Sequence, residues 1–392
     1  MKNEIQKYLL KDIAAIIAGQ SPESKYYNTN GEGIPFFQGK ADFGALYPNI
    51  RTYCSQPIRI AEKDDILLSV RAPVGPTNLS PGKVCIGRGL TAIRPGSSIR
   101  LKYLLYFFRY YEAQLQKSGT GTTFKAITQN VIKNIEVPVP SLDEQERIVS
   151  KIEELFSKLD ASVAELKTAK EKLKVYRQAV LKEAFAGEYP RISLKEIAKP
   201  LSGYAFKSKK YSINGKYVVV KIGNVKPFHF DFSRDFTKTI EVDDAILSRY
   251  LLTRGDCLIT MTGSRGKRDY GYVVMVEDQK NYLLNQRVAA LRFNPSVALP
   301  KFFEYYLSSP QYRNQFFSYE TGNVGQGNVG IKALTEPEVI CPPIKIQEEI
   351  IQKIEFRLSL CDSIEQTIDT SLQQAEALRQ SILKQAFEGR LI

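Results

Sequence analysis

The sequence predicts an α+β protein. Two globular α/β-mixed domains are separated by two long helices, which pack as an antiparallel coiled coil and give the chain pseudo-twofold symmetry. Two observations carry this expectation. Residues 145–187 recur at residues 347–389 with a constant offset of 202, no gap, and 16 of 43 positions identical. Each copy also follows a long stretch of different composition, rich in short β-branched runs and Gly-bearing turns. A long internal repeat bears on architecture before any motif is considered. The expected boundaries are 1–141 for the first domain, 142–187 for the first helix, 188–343 for the second domain and 344–392 for the second helix.

Bulk properties fit that plan. A chain of 392 residues is long enough for two or three domains, each with its own core. Hydrophobic content of 43% and charged content of 25% are ordinary for a globular protein. No apolar run approaches the ~20 residues that span a bilayer. Lys11 and Asp12 split the apolar patches of MKNEIQKYLLKDIAAIIAG, which argues against a signal peptide. Five cysteines (Cys54, Cys85, Cys257, Cys341, Cys361) with no CxxC spacing read as reduced thiols in a cytoplasmic protein, not a disulfide frame or zinc site.

The net charge of +13 is unevenly placed. Residues 1–142 carry +8 and residues 184–343 carry +7, whereas 143–183 are neutral and 344–388 carry −3. Two basic modules on a neutral frame suggest two contacts with one polyanion. A generally basic protein without such a partner accounts for the charge equally well.

Taken in order, the first domain begins LLKDIAAIIAGQSPESKYY at Leu9, and the second echoes it with SLKEIAKPLSGYAFKSKKY at Ser193. A buried strand and Gly-bearing turn follow in each, DDILLSVRAPVG at Asp64 and RGDCLITMTGSRG at Arg254. CIGRGLTAIRP at Cys85 parallels NQRVAALRFNP at Asn285. One aromatic helix per domain comes next, KYLLYFFRYYEAQL at Lys102 and KFFEYYLSSPQYRNQF at Lys301. Its apolar spacing favours core packing over base stacking. A Gly-rich polar loop closes each domain, KSGTGTTFKAI at Lys117 and ETGNVGQGNVGIKAL at Glu320.

The two repeats read as helices of about 40 residues without Gly or Pro, each roughly 60 Å long at about 1.5 Å per residue. Proline precedes both, in VPVPSLDEQ and CPPIKIQEE, so the chain enters extended. Ser141 and Glu144 match a capping box, and Gly187 and Gly389 mark the ends. Apolar residues, Tyr176, Ile364 and Leu378 among them, fall every three or four positions, from Ile148 to Val180 and from Ile350 to Ile382. They form a narrow coiled-coil seam, and the nearest partner for each helix is the other copy. A plain interdomain strut and a dimerisation helix are the alternatives.

Several polar loop residues suit base edges, since Arg and Lys match guanine, Asn and Gln match adenine, and Ser or Thr serves either. In the first domain these are Arg71, Arg88, Lys117, Thr120, Thr122, Thr123 and Lys125. In the second they are Ser264, Arg265, Lys267, Arg268, Asn285, Gln286, Arg287, Asn323, Gln326 and Asn328. Catalytic chemistry is not visible. The chain has one histidine, His229, which argues against a His-rich metal site or a His-dependent triad. It has no phosphate loop and no dinucleotide fingerprint, and no methyltransferase-type NPPY or DPPY tetrapeptide. We expect no catalytic residue, no metal and no cofactor.

The chain resembles the specificity (S) subunits of Type I restriction–modification systems. The residues that carry the resemblance are VPVPSLDEQERIVSKIEELFSKLD with RQAVLKEAFAGE, and CPPIKIQEEIIQKIE with RQSILKQAFEGRLI. The second copy departs slightly, with Ile346 in place of the usual acidic residue before Gln347. The resemblance covers essentially the whole chain and implies a non-catalytic DNA recognition subunit. Each globular domain is then a target recognition domain for one half of a bipartite, asymmetric sequence in double-stranded DNA. The helices set the spacing and dock two modification (methyltransferase) subunits, and restriction/translocase subunits complete the complex. A self-contained DNA methyltransferase or nuclease, and a coiled-coil scaffold that never touches DNA, are the competing readings.

Overall fold

The computed structural model of the protein describes residues 6–119, 126–212, 214–233, 238–239, 242–278, 280–323 and 325–392. The chain divides into two compact units. Unit 1 holds residues 1–167 and 369–392, and unit 2 holds residues 168–368. Each unit therefore contains one globular domain and a portion of each long helix.

In unit 1 a four-stranded antiparallel sheet is built from Ala14–Ala18 (β1), Ile66–Ser69 (β2), Thr77–Leu79 (β3) and Leu90–Pro95 (β4), in the order β1-β4-β2-β3. The run Ile66-Leu67-Leu68-Ser69 is fully buried, which is why it reads as an unbroken apolar strand. A second sheet carries a parallel pair, Ile34–Phe37 beside Val84–Ile86. Helix Leu101–Ser118 (α1) buries Tyr103, Leu104, Leu105, Tyr106, Phe107 and Phe108. A short ladder between Lys7–Leu9 and Glu136–Pro138 ties the domain's two ends together.

Unit 2 repeats the plan. Ala198–Ser202 (β5), Cys257–Thr260 (β6), Val273–Met275 (β8) and Val288–Phe293 (β9) form a sheet in the order β5-β9-β6-β8. Between β6 and β8 lies Thr262–Ser264 (β7), which belongs to a separate three-stranded sheet. The parallel pair recurs as Tyr217–Val220 beside Tyr282–Leu284, and the closing ladder as Arg191–Ser193 with Glu338–Ile340.

The expected single aromatic helix of this domain is two helices, Pro300–Ser308 (α3) and Pro310–Ser318 (α4). Pro310 has no N–H to donate and holds the preceding residue extended, so the first helix stops. Ser309 caps the second, accepting a hydrogen bond from the Tyr312 amide at 3.4 Å. Both helices put their aromatic residues in the core, as the apolar spacing predicted.

The long helices run over Leu142–Ala184 (α2) and Ile344–Phe387 (α5). At the start of α2 the Ser141 hydroxyl accepts from the Glu144 amide at 3.3 Å, which is half of the expected capping box. At the end of α5, Gly389 takes the left-handed conformation (φ 69°) and the Arg390 amide donates to the Gln385 carbonyl at 2.8 Å. Gly389 is thus a left-handed C-cap. Gly187 does not adopt that conformation.

Residues identical in the two repeats do the same work in the two units. Gln145 is completely buried. Its Oε1 accepts from the Arg100 amide at 2.8 Å, and its Nε2 donates to the Ser98 and Pro140 carbonyls at 3.1 and 2.9 Å. Gln347 is equally buried, accepts from the Leu299 amide at 2.8 Å, and donates to the Val297 and Pro342 carbonyls at 2.8 and 2.7 Å. Each glutamine thereby satisfies the free donor at the start of the domain's aromatic helix and fixes the long helix to it.

The same pairing holds farther along. In unit 1, Phe387 meets Tyr103 and Phe107 with ring centroids 5.2 and 5.5 Å apart. In unit 2 its counterpart Phe185 meets Tyr306 and Phe302 at 5.2 and 5.5 Å. Arg379 pairs with Asp160 in unit 1, and Arg177 pairs with Asp362 at 2.7 Å in unit 2. Within each unit the portions of α2 and α5 therefore run antiparallel. Such exposed pairs contribute only about 0.2–1 kcal/mol, so the burial of Leu181, Phe185, Leu383 and Phe387 carries the packing, and the ion pairs set register. Three seam positions depart from expectation. Tyr176, Ile364 and Leu378 are exposed, because only a narrow part of each helix is covered by one partner. Among the described residues no helix is long and apolar enough to cross a membrane.

Candidate nucleic-acid interface

Strand β6 ends at a crossing of three chain segments. The Met261 amide donates to the Arg287 carbonyl at 3.0 Å, and the Met261 carbonyl accepts from the Val329 amide at 2.9 Å. Beyond it, β7 pairs antiparallel with Gln326–Val329 (β11), placing Thr262 opposite Asn328 and Ser264 opposite Gln326. Glu320–Thr321 (β10) flanks β11 on its other edge. The alternation of β11 buries Gly327 and Val329 and exposes Gln326 and Asn328.

The result is a polar cleft of about 480 Å³ lined by Thr262, Gln286, Arg287, Asn323, Gln326 and Asn328. An adjoining depression of about 390 Å³ shares Thr262, Arg287 and Gln326 and adds Ser264, Lys226 and Tyr272. Six of the ten candidates named for this domain therefore converge: Ser264, Gln286, Arg287, Asn323, Gln326 and Asn328.

The other four are placed differently. Arg265 is held to the hairpin, with Nε 3.4 Å from the Glu320 carboxylate and Nη1 donating to the Gly322 carbonyl at 3.3 Å. Arg268 lies over the Phe317 ring at 4.9 Å, with its backbone in the left-handed region (φ 46°). The Asn285 side chain faces the Tyr204 carbonyl at 3.5 Å. Lys267 is exposed at the tip of the turn.

That turn is rigidly built. The Arg313 guanidinium donates to the carbonyls of Gly271, Tyr270 and Arg268 at 2.6, 3.1 and 3.3 Å, and burial lowers its pKa. The Asp269 carboxylate accepts from the Ser264 amide at 2.6 Å, which holds its pKa below the usual carboxylate range. Burial, reinforced by a hydrogen bond to Glu320, pushes the Tyr270 phenol well up.

Unit 1 has the corresponding cleft, about 720 Å³, lined among others by Gln38, Lys40, Asp42, Thr52, Arg71 and Arg88. The Val70 amide donates to the Gly89 carbonyl at 2.9 Å, as Met261 does to Arg287. Arg71 bridges to Ala126, as Thr262 does to Asn328. Arg71 and Arg88 are thus brought together, whereas Lys117 is exposed in the last turn of α1, outside the cleft lining. Thr120, Thr122, Thr123 and Lys125 lie outside the described residues. Sequence reasoning missed Gln38, Lys40 and Lys226, which sit in a loop, a short 3-10 helix and a two-residue strand with no motif around them.

At the far end of the strand that leads into each cleft, a buried carboxylate clamps the sheet. Asp65 takes two hydrogen bonds from Arg94 at 2.8 and 2.9 Å, and Asp256 takes two from Arg292 at 2.7 Å. These carboxylates are spent on the frame. Among the described residues no three His, Cys, Asp or Glu side chains gather in a way that holds a metal ion.

The family described as Type I restriction modification DNA specificity domain matches residues 2–172 and again residues 187–374. The chain belongs to this family. Members of the specificity family supply DNA sequence recognition to Type I restriction–modification systems and are not themselves catalytic.

Among relatives, the chain is 44% identical over 138 residues to the putative type I restriction enzyme MjaX specificity subunit of Methanocaldococcus jannaschii, a match covering 35% of this chain and 32% of that one. It is 25% identical over 332 residues to the type I restriction enzyme EcoKI specificity subunit of Escherichia coli K12, covering 79% and 70%. Solved structures share the fold. A chain from a structure concerned with assembly and conformational transition of the type I R-M system superposes with a TM-score of 0.71 at 18% identity, covering 98% of both chains. The HsdS subunit from Thermoanaerobacter tengcongensis gives 0.55 at 17% identity, covering 98% and 97%.

Proposed function

We propose that the chain acts in the cytoplasm as the sequence-specific DNA-binding subunit of a Type I restriction–modification complex. Residues 1–141 and 188–343 are two readers, each for one half of a bipartite, asymmetric duplex target. The helical segments 142–187 and 344–392 set the gap and dock two modification (methyltransferase) subunits, to which restriction subunits are added in the full complex.

One observation supports this reading above the others. The same cleft is built twice, from the same strand order and the same backbone hydrogen bonds, yet it is lined by different side chains. A duplicated frame with divergent linings is what two related half-sites of different sequence require. Both halves are basic as well, at +8 and +7 for residues 1–142 and 184–343, which suits a phosphate backbone.

The test is an exchange. The chain is produced with its modification subunits, and methylated sites are mapped across a genome. Replacing residues 1–140 by the same region of a relative changes one half-site and leaves the other. A swap that alters both half-sites, or neither, defeats the proposal. Micromolar binding of S-adenosylmethionine to the isolated chain would instead favour a self-contained methyltransferase.

A further inference from the structure

The two clefts differ at a position where their frames agree closely. A Cβ added to Gly19 would lie 2.1 Å from the Gly87 carbonyl oxygen, and one added to Gly203 would lie 1.9 Å from that of Asn285. The neighbouring amides behave alike, Gln20 donating to the Ile86 carbonyl at 3.0 Å and Tyr204 to the Leu284 carbonyl at 2.9 Å. Gly87 and Asn285 are therefore equivalent, and so are the residues that follow them, Arg88 and Gln286. Both are exposed, and each lines its own cleft.

Two further lining residues of the unit 2 cleft, Gln326 and Asn328, carry the same side-chain amide as Gln286, beside Thr262 and Arg287. Among the described residues, the side-chain amides of Gln286, Gln326 and Asn328 form no hydrogen bond within the chain. An amide presents a donor and an acceptor together, which matches the N6 donor and N7 acceptor of adenine. A guanidinium presents paired donors, which match O6 and N7 of guanine. Gln326 and Asn328 stand two residues apart on one face of β11. At about 3.4 Å per residue that is close to two base-pair steps of about 3.4 Å, and adenine presents its N6 and N7 in the major groove.

We infer that unit 2 reads adenine edges through Gln286, Gln326 and Asn328, and that Arg88 reads guanine at the equivalent place in unit 1. The position shared by Arg88 and Gln286 then sets base identity in each half-site. This rests on the reading role proposed above.

Two measurements test it on the complex with its modification subunits. The first places 7-deazaadenine, which lacks N7, at single adenines of the half-site assigned to unit 2 by domain exchange. At least two positions are expected to weaken binding about tenfold each. The second maps methylated sites for Gln286→Arg, which is expected to convert one adenine of that half-site to guanine and to leave the other half-site unchanged. Indifference to 7-deazaadenine at every adenine overturns the assignment, as does an unaltered motif from a Gln286→Arg chain with wild-type thermal melting. Should that variant fail to fold, the base-analogue result decides alone. A wild-type complex that binds no duplex at all overturns the reading role as well, and is distinguishable from one that binds but ignores the analogue.

Discussion

Unit 1 and unit 2 agree in their frame and disagree in their clefts. The frame residues are the ones that the two repeats share: Gln145 and Gln347, Asp160 and Asp362, Arg177 and Arg379, Phe185 and Phe387. Each pair has the same partners in its own unit. The cleft residues do not correspond in kind. Arg88 stands where unit 2 has Gln286, Arg71 where it has Thr262, and Ala126 where it has Asn328. Identity is kept where a side chain is buried against, or bonded to, the other elements of its unit, and lost where it faces outward from a fixed backbone. A reader of this design changes its target without rebuilding its core.

The largest expected effect breaks the frame one unit at a time. Gln145→Ala leaves the Arg100 amide and two carbonyls without their partner, and Gln347→Ala does the same at Leu299. Each buried group left unpaired costs roughly 1–3 kcal/mol, so either variant should lose about 3 kcal/mol or more. Hydrogen exchange should quicken in α1 for the first and in α3 for the second. Equal quickening in both helices would show that the units are not independently locked.

A smaller loss sharpens the equivalence. Asp65→Ala and Asp256→Ala each strand a partly exposed arginine and an unpaired backbone amide, Glu62 or Thr253. We expect about 1–3 kcal/mol from each, measured by urea unfolding. A difference above about 1 kcal/mol between the two would mean that the clamps are not equivalent.

The helices offer a geometric test. Four residues inserted within Val163 to Lys170 lengthen α2 by about 6 Å and rotate the seam by only about 40°. If the helices are the ruler, methylated sites should show a gap longer by about one to two base pairs, with unchanged half-sites. A folded variant that keeps the original gap would place the ruler in the partner subunits. The smallest effect concerns Lys267. Unlike Arg265 and Arg268, it is not tied to the hairpin or to Phe317. Lys267→Ala should reduce the slope of log affinity against log salt by about one and leave the target sequence unchanged. An unaltered slope would turn that tip away from DNA.

Much of the frame was legible because helical periodicity and internal identity are local signals. Ser141, the prolines before each helix and the Gly389 cap all announce themselves. The break at Ser309-Pro310 was also legible, as a hydroxyl cap followed by proline, but the aromatic run around it read as one helix. The clefts were legible only as a set of suitable residues. Thr262, Gln286 and Gln326 meet because β7 pairs with β11 and the segment before β9 bonds to Met261 beside β7, and strand order over more than 60 residues leaves no trace in local pattern. Nor did spacing reveal that Arg265 is held by Glu320 and Gly322 and that Arg268 lies over Phe317, or that Tyr176, Ile364 and Leu378 fall on the uncovered side of the seam.

The division of the chain into units has a consequence for the order in which the molecule is born. Unit 2 is one continuous stretch, residues 168–368, whereas unit 1 needs residues 369–392 as well. A ribosome working from the N-terminus therefore finishes the second unit before the first can close. Until residues 369–392 emerge, Tyr103, Phe107 and Tyr110 lack the ring of Phe387 that covers them at 5.2, 5.5 and 5.5 Å. The usual sequence of N-terminal domain first is reversed. The nascent first domain carries an uncovered aromatic face throughout synthesis of the second. Removing residues 369–392 should accordingly damage the half of the protein farthest away in sequence, and spare the half beside the cut.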